Sequence, residues 1–181
     1  KKIKFIQSEF PPLTEINDNS IDYVVTFQVI EHIYEDEKFL QEIYRVLKKG
    51  GKLILTTPNK SMSLSRNPWH IREYTPSEMS VLLQTYFNDF KVKGIFGNKK
   101  VMKYYESNKQ SIKRFTRFDI FRMQYWLPRW ILQIPYDIIN RFNRNFLHDE
   151  NFDIVREITH KDYFITDEST NSLDHFCIAT K

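Results

Sequence analysis

The stretch between residues 21 and 59 constrains the fold most, because it reads as a strand, a helix and a second strand joined by short links. Residues 21–27, IDYVVTF, are β-branched and aromatic without polar alternation, which is typical of a strand buried on both faces. Residues 36–47 place apolar side chains at helical spacing, and residues 52–59 form the second apolar run. Strands joined in this way pair in parallel with a right-handed crossover, so we predict an α/β protein.

Three more strands and another helix extend this unit. Residues 3–7, 90–97 and 173–181 are short runs with strand character. Thr75 and Glu78 have the spacing of a capping box, which predicts that a helix begins there. The chain therefore supplies five predicted strands.

The composition is that of a globular domain from a reducing compartment. The chain of 181 residues is 41% hydrophobic and 28% charged, and no apolar run approaches the length of a membrane-spanning helix. Its first residues lack the features of a signal peptide. The single Cys177 excludes an internal disulfide and a cysteine metal cluster, and His148, His160 and His175 show no ligand spacing. We therefore expect a cytoplasmic protein and predict no metal site.

Positive charge and aromatic side chains concentrate in residues 98–147. This segment holds eleven Lys and Arg against three acidic residues, a net charge of +8, whereas the whole chain carries +4. It also holds eleven of the 28 aromatic residues. Helical spacing of apolar residues follows Pro128 and again follows Pro135, so the segment is predicted to be helical.

Four interpretations fit this segment. We favour a helical cap that also forms a lid over a substrate pocket. The second interpretation is a peripheral membrane contact through residues 117–146, where Trp126, Trp130 and flanking Arg resemble an interfacial helix. The third is nucleic-acid binding, which ranks last because the aromatics follow helical spacing and are not interleaved on an exposed sheet. The fourth is a simple cap whose aromatics form its own core.

Two motifs identify a family resemblance. In residues 19–59, Asp22 opens a strand, the pair Glu31–His32 follows it, RVLKKGG closes the helix and TPN ends the next strand. In residues 67–79, NPWHIREYTPSEM, a His and an Arg-Glu pair precede a helix. In order and spacing these features resemble the class I S-adenosylmethionine-dependent methyltransferases, of the type 11 or type 23 kind.

The resemblance implies a Rossmann-like sheet of parallel strands with an antiparallel last strand, in the order 3-2-1-4-5-7-6. Strands 3 to 7 would be present, with residues 1–97 and 172–181 forming the C-terminal part of the methyltransferase domain. Residues 98–171 would be the helical cap or lid inserted before the last strand. The family's glycine-rich loop and the acidic residue after its second strand are absent, so we expect an N-terminal part to be missing and the fragment alone to be inactive.

The resemblance also assigns cofactor contacts, for S-adenosylmethionine. Glu9 matches an acidic residue that accepts a hydrogen bond from the adenine amino group, and Phe10 would offer its backbone N–H to the ring. Gln28 and Val29 follow the fourth family strand and would contact the adenosine or methionine part. The alternatives remain a solvated loop carboxylate for Glu9 and an ordinary helix entry for Gln28 and Val29.

His70 is the candidate catalytic residue, because an oxygen nucleophile needs a base and His titrates near neutral pH. Trp69, Arg72 and His32 are the candidate substrate-binding residues. Arg72 would hold an anionic group of the acceptor or pair with Glu73. The alternative for His70 is a hydrogen bond that fastens the loop.

The implied function is methyl transfer from S-adenosylmethionine to a small or medium acceptor through oxygen. Members with the second motif act on sugars, lipid-linked metabolites or quinone precursors, so a small-molecule or lipid-linked acceptor is expected. The alternative is a non-catalytic protein that keeps the fold for binding or as a scaffold, including one associated with a membrane surface. The sequence carries no signal for the oligomeric state.

Overall fold

The computed structural model describes residues 3–7, 10–116, 127–150 and 156–181. Within these residues, five strands form one sheet: β1 Ile21–Phe27, β2 Leu47–Pro58, β3 Asp89–Gly97, β4 Tyr163–Thr166 and β5 Asp174–Thr180. The α-helices that the described residues form are α1 Asp36–Val46, α2 Pro76–Gln84, α3 Lys99–Thr116 and α4 Arg129–Glu150. In the described residues no helix is both long and apolar enough to cross a membrane.

The sheet has the order β1-β2-β5-β3-β4. β1 and β2 are parallel, whereas β5 runs antiparallel to both of its neighbours, β2 and β3. The predicted α/β Rossmann-like class with an antiparallel last strand is therefore confirmed. β4 pairs with β3 and was not predicted, since it lies in the segment expected to be helical.

The β1–α1–β2 unit forms as predicted, although the helix stops earlier than its two glycines suggested. α1 ends at Val46, and Leu47 is already extended and begins β2. Gly50, with φ +79°, lies in a bulge between the pairs Ile21–Leu47 and Tyr23–Lys52. The left-handed glycine therefore shapes the strand and not the helix end.

The core lies between the sheet and helices α1 and α2. Its largest fully buried side chains come from α1, β2 and the α2 region: Phe39, Leu40, Ile43, Leu53, Leu55, Tyr74, Met79, Leu83 and Phe87. Burying each of them contributes roughly 1.5–3 kcal/mol. The predicted capping box of α2 is present, with both the Thr75 and the Glu78 side chains bonded to the opposite backbone N–H. This core holds the ends of β1 and β2 in place.

Two predictions at the start of the chain are wrong. Residues 3–7 form no strand, and the Phe5 side chain is 92% exposed, because no described strand lies beside this segment. β1 is not buried on both faces either, since Tyr23, Val25 and Phe27 are each more than half exposed. Within the described residues β1 is an edge strand that pairs only with β2, so one of its faces remains uncovered.

The described part of the segment before the last strand is largely helical, as predicted. α3 packs against α4, and α4 continues through Pro135, where a new helical start had been expected. Both helices stand above the carboxyl end of β2. Tyr105 of α3 donates a hydrogen bond of 2.8 Å to the carbonyl of Met62 in the loop after that strand. This packing places the two helices over the candidate site.

Candidate active site

The candidate site lies at the carboxyl ends of the parallel strands β1 and β2, the edge where open α/β sheets bind ligands. Gln28 and a single helical turn, Ile30–His32, follow β1. The loop of residues 59–75 follows β2. The two loops meet, and most of the predicted site residues lie on them.

Glu31 joins the two loops. Its side chain is buried, and Oε2 accepts a hydrogen bond of 2.9 Å from Thr57 Oγ1 at the end of β2. Its backbone carbonyl accepts from the N–H groups of Ile71 and Arg72, at 2.6 and 3.3 Å. Glu31 therefore fixes the position of the loop that carries His70.

His70 and Glu73 form a largely buried pair, with His70 Nδ1 lying 2.6 Å from Glu73 Oε1. Burial raises the pKa of Glu73, but hydrogen bonds from His70 and Ser63 outweigh it, and the net pKa lies below its usual value. When Glu73 accepts a hydrogen bond from Nδ1–H of a neutral His70 ring, Nε2 is the nitrogen without a proton. This is the tautomer that a general base requires.

The other predicted substrate residues surround this pair. His32 Nδ1 lies 2.9 Å from the carbonyl of Trp69, and the His32 and His70 rings meet edge to face at 4.9 Å between centroids. Trp69 Nε1 donates a hydrogen bond of 2.9 Å to Asp137 of α4. The structure therefore brings His32, Trp69 and His70 together and links them to the cap.

Arg72 does not pair with Glu73, contrary to one of the two expectations. Its guanidinium lies 3.3 Å from Asp36 Oδ2 and 5.0 Å from the centre of the Tyr74 ring. Glu73 is already hydrogen-bonded to His70 and Ser63, and Arg72 instead pairs with Asp36 at the start of α1. About half of its side chain remains exposed, towards one of the cavities described below.

Gln28 occupies a left-handed backbone conformation, with φ +54°, which is uncommon for a residue other than glycine. Its backbone N–H donates a hydrogen bond of 2.9 Å to the carbonyl of Thr56, and its side chain donates to Asp174 at the start of β5. Burial raises the pKa of Asp174 to about 6, the Gln28 bond opposes this shift, and the charge of Glu31 adds to it. Asp174 was not predicted as a site residue.

Of the remaining predicted cofactor residues, the structure describes Val29 and Phe10 but not Glu9. Val29 and Phe10 are half-buried against the core, and the Phe10 ring lies 4.7 Å from that of Phe39. Glu9 lies outside the described residues. A cofactor contact through these residues stays a prediction.

Two cavities of about 290 Å³ each open beside the His70–Glu73 pair and share it as a wall. Hydroxyl and amide groups dominate the first cavity, which extends to the cap helices: Asn59, Ser63, Ser65, Asn67, Tyr105, Asn108, Tyr136 and Asn140. Cationic side chains dominate the second: Lys60, Arg66, Arg72 and Arg129. Concave sites of this size suit a small molecule.

Some of these residues lay beyond the reach of sequence reasoning. Glu73 had a local signal, since it lies three residues after His70. Tyr136, Asn140 and Arg129 lie far away in sequence, and only the packing of α4 over the loop brings them to the cavities. Helical spacing predicted that this segment forms a cap helix. The spacing did not indicate which residues of the helix face the site.

Glu31, His32 and His70 are the residues that could hold a metal ion in the described part of the chain, since each offers a ligand atom within 4.8 Å of the others. A carboxylate with two imidazoles is a donor set that zinc-type ions accept. Each of the three is already hydrogen-bonded within the protein, to Thr57, Trp69 and Glu73 respectively. These bonds account for the cluster, and we assign no ion to it.

The chain is similar in sequence to known methyltransferases. The family described as "Methyltransferase domain" matches residues 1–55. A probable S-adenosylmethionine-dependent methyltransferase of Mycolicibacterium smegmatis is 44% identical over 73 residues, 38% of this chain and 28% of the relative. Another, from Mycobacterium tuberculosis, is 37% identical over 101 residues, 52% of this chain and 36% of the relative.

The fold is shared with solved methyltransferases. A SAM-dependent methyltransferase of Thermotoga maritima superposes with a TM-score of 0.53 at 16% identity, over 92% of this chain and 58% of the other. A SAM-dependent methyltransferase of Archaeoglobus fulgidus gives a TM-score of 0.51 at 13% identity, over 97% and 66%. The chain is thus similar in sequence to S-adenosylmethionine-dependent methyltransferases and shares the fold of solved ones, and it spans about a third of the length of the curated relatives it matches.

Proposed function

We propose that the protein containing this chain transfers a methyl group from S-adenosylmethionine to an oxygen atom of a small or medium polar acceptor. The observation that carries this proposal is the His70–Glu73 pair, held at 2.6 Å on the ligand edge of the sheet between two cavities. A hydroxyl acceptor must lose its proton as the new C–O bond forms. His70 Nε2 is the group that takes this proton.

The residues at this edge fit the proposed cofactor. When bound, S-adenosylmethionine supplies an electrophilic methyl group on a positively charged sulfur. The buried carboxyl group of Glu31 and the half-buried one of Asp174 lie at the ends of β1 and β5, the two strands that flank β2, where they favour a positive charge. Gln28 is held against Asp174, and Val29 and Phe10 offer an apolar surface for the adenosine.

Three groups of this chain divide the work of the transfer. Glu73 holds the His70 ring and stabilises the positive charge that His70 gains with the acceptor proton. Glu31 holds the loop on which both residues lie. The cavity walls hold the acceptor oxygen in line with the methyl group, and positioning is the main contribution an enzyme makes to such a displacement.

The two cavities indicate the class of acceptor. The first offers hydroxyl and amide groups, which pair with the hydroxyl groups of a sugar or another polyol. The second offers four cationic side chains, of which Arg72 and Arg129 flank the loop of His70, and these suit a phosphate or carboxylate. We therefore favour a hydroxyl-rich acceptor with an anionic group over an apolar quinone-like one.

Calorimetry on the full-length protein tests this proposal. S-adenosylhomocysteine, the demethylated form of the cofactor, should bind with micromolar affinity. An absence of binding at millimolar concentration would refute the enzyme and favour a protein that keeps the fold for another purpose. The measurement needs the whole protein, because the matched relatives are about three times as long as the region they share with this chain.

A further inference from the structure

Helix α4 turns a polar face towards the protein. Tyr136 and Asn140 line the first cavity, and Asn143, one turn further on, is buried against α3. Asn143 accepts a hydrogen bond from Ser111 and donates one of 2.9 Å to Asn108. The inward face of α4 is therefore held by hydrogen bonds.

The opposite face of α4 is apolar and uncovered in the described part of the structure. Trp130, Ile134, Ile138 and Phe142 recur every fourth residue, and 72%, 70%, 52% and 67% of their side chains are exposed. A helix at the surface of a water-soluble domain has the reverse arrangement, with the apolar face inwards. In the described residues this stripe does not pack as the core of a cap.

The charge around this face favours one kind of occupant. Residues 98–150, which include both cap helices, hold eleven Lys and Arg against five Asp and Glu, a net charge of +6. A second copy of the chain would bring an equal positive charge against it. An anionic lipid surface would instead attract the segment while its acyl region accepts the apolar side chains.

We propose that α4 lies flat on an anionic lipid bilayer, with Trp130, Ile134, Ile138 and Phe142 inserted below the headgroups. A helix of 22 residues is about 33 Å long, and side chains of an interfacial helix enter the bilayer by roughly 5–10 Å. The hydrogen-bonded face of Tyr136, Asn140 and Asn143 then stays with the protein. This contact goes beyond the proposed methyl transfer and does not depend on it.

Vesicle flotation with the full-length protein tests the contact. The protein should float with phosphatidylcholine vesicles that contain phosphatidylglycerol, less so with pure phosphatidylcholine, and less as the salt concentration rises. The double variant Ile134→Gln with Ile138→Gln should lower the floated fraction roughly tenfold or more, because two buried apolar side chains are lost from the bilayer. Circular dichroism should show an unchanged fold, since both side chains are exposed.

Val81→Gln is the matched control. Val81 is 68% exposed on α2, away from the cap, so its replacement should leave flotation unchanged. A failure to float with anionic vesicles would overturn the proposal, as would binding that the double variant retains. Light scattering that shows self-association, abolished by the same double variant, would assign the face to a second copy instead and would equally overturn it.

Discussion

Thr57 donates a hydrogen bond of 2.9 Å to Glu31 through its hydroxyl, and both side chains are buried. The bond joins the end of β2 to the turn after β1. Because the carbonyl of Glu31 also accepts from the N–H groups of Ile71 and Arg72, this one residue links three chain segments. The Glu31–His32 pair, read first as a family marker, thus supports the position of the candidate base.

Thr57→Val should lower the free energy of unfolding by about 1–3 kcal/mol, because the buried carboxylate of Glu31 loses its hydroxyl donor. Urea unfolding of the full-length protein measures this change. Thr56→Val is the control: Thr56 is also buried but lies on the opposite face of the strand. Equal losses in the two variants would contradict the role given to the Thr57–Glu31 bond.

His70→Ala should lower kcat by roughly 10²-fold, the usual contribution of a general base. Affinity for S-adenosylhomocysteine should change by less than about twofold, since the base acts on the acceptor and not on the cofactor. His160→Ala, an exposed histidine of the cap, should change neither quantity. Equal losses in turnover and in cofactor affinity would indicate that His70 contacts the cofactor and not the acceptor.

Glu73→Gln should lower kcat by roughly tenfold or more while the protein stays folded. The amide is close in size to the carboxylate, but it removes the negative charge that faces His70 Nδ1 at 2.6 Å. Steady-state kinetics should show the loss mainly in kcat and little in KM. Glu78→Gln, which alters a capping residue of α2, should leave kcat unchanged. A change confined to KM would indicate that Glu73 contacts the acceptor instead.

Asp174 should make the protein less stable as the pH rises from about 4 to about 6. Its pKa in the folded protein is raised to about 6, so in this window the folded state holds a proton that the unfolded state has lost. The free energy of unfolding then falls with rising pH, by roughly 3 kcal/mol at most for a shift of this size.

Urea unfolding at a series of pH values checks this expectation. Asp174→Asn should remove most of the fall between pH 4 and 6. Asp167→Asn should not remove this decrease in the free energy of unfolding. The hydrogen bond with Lys93 lowers the pKa of Asp167, so Asp167 makes the folded protein more stable, not less, as the pH rises. A flat profile in the unaltered protein would show that Asp174 is less buried than the structure indicates.

The elements that could be predicted from sequence are those set by local patterns. The parallel unit of residues 21–59 has its own helical and strand spacing, and the capping box of Thr75 and Glu78 needs only four residues. The proximity of His32 and His70 also followed from the topology, since both come after neighbouring parallel strands. Position along a strand was enough to bring them to one edge.

What could not be predicted depends on partners distant in sequence. The Tyr163–Thr166 strand exists because β3 offers it a free edge, and a run of four residues carries little signal of its own. The sequence around Asp174 indicates only the start of a strand. Its position beside Gln28 results from the pairing of Asp174 with Pro58 of β2. The exposed stripe of α4 has the same spacing as a buried one, so only the structure could tell the two apart.

The uncovered face and edge of β1 have a practical consequence for handling these residues by themselves. Tyr23, Val25 and Phe27 project from a strand whose outer backbone groups pair with no other strand in the described part of the chain. Such an edge is a template for strand addition between molecules. A preparation limited to these 181 residues should form soluble aggregates during purification, which makes the full-length protein the material of choice for the assays above.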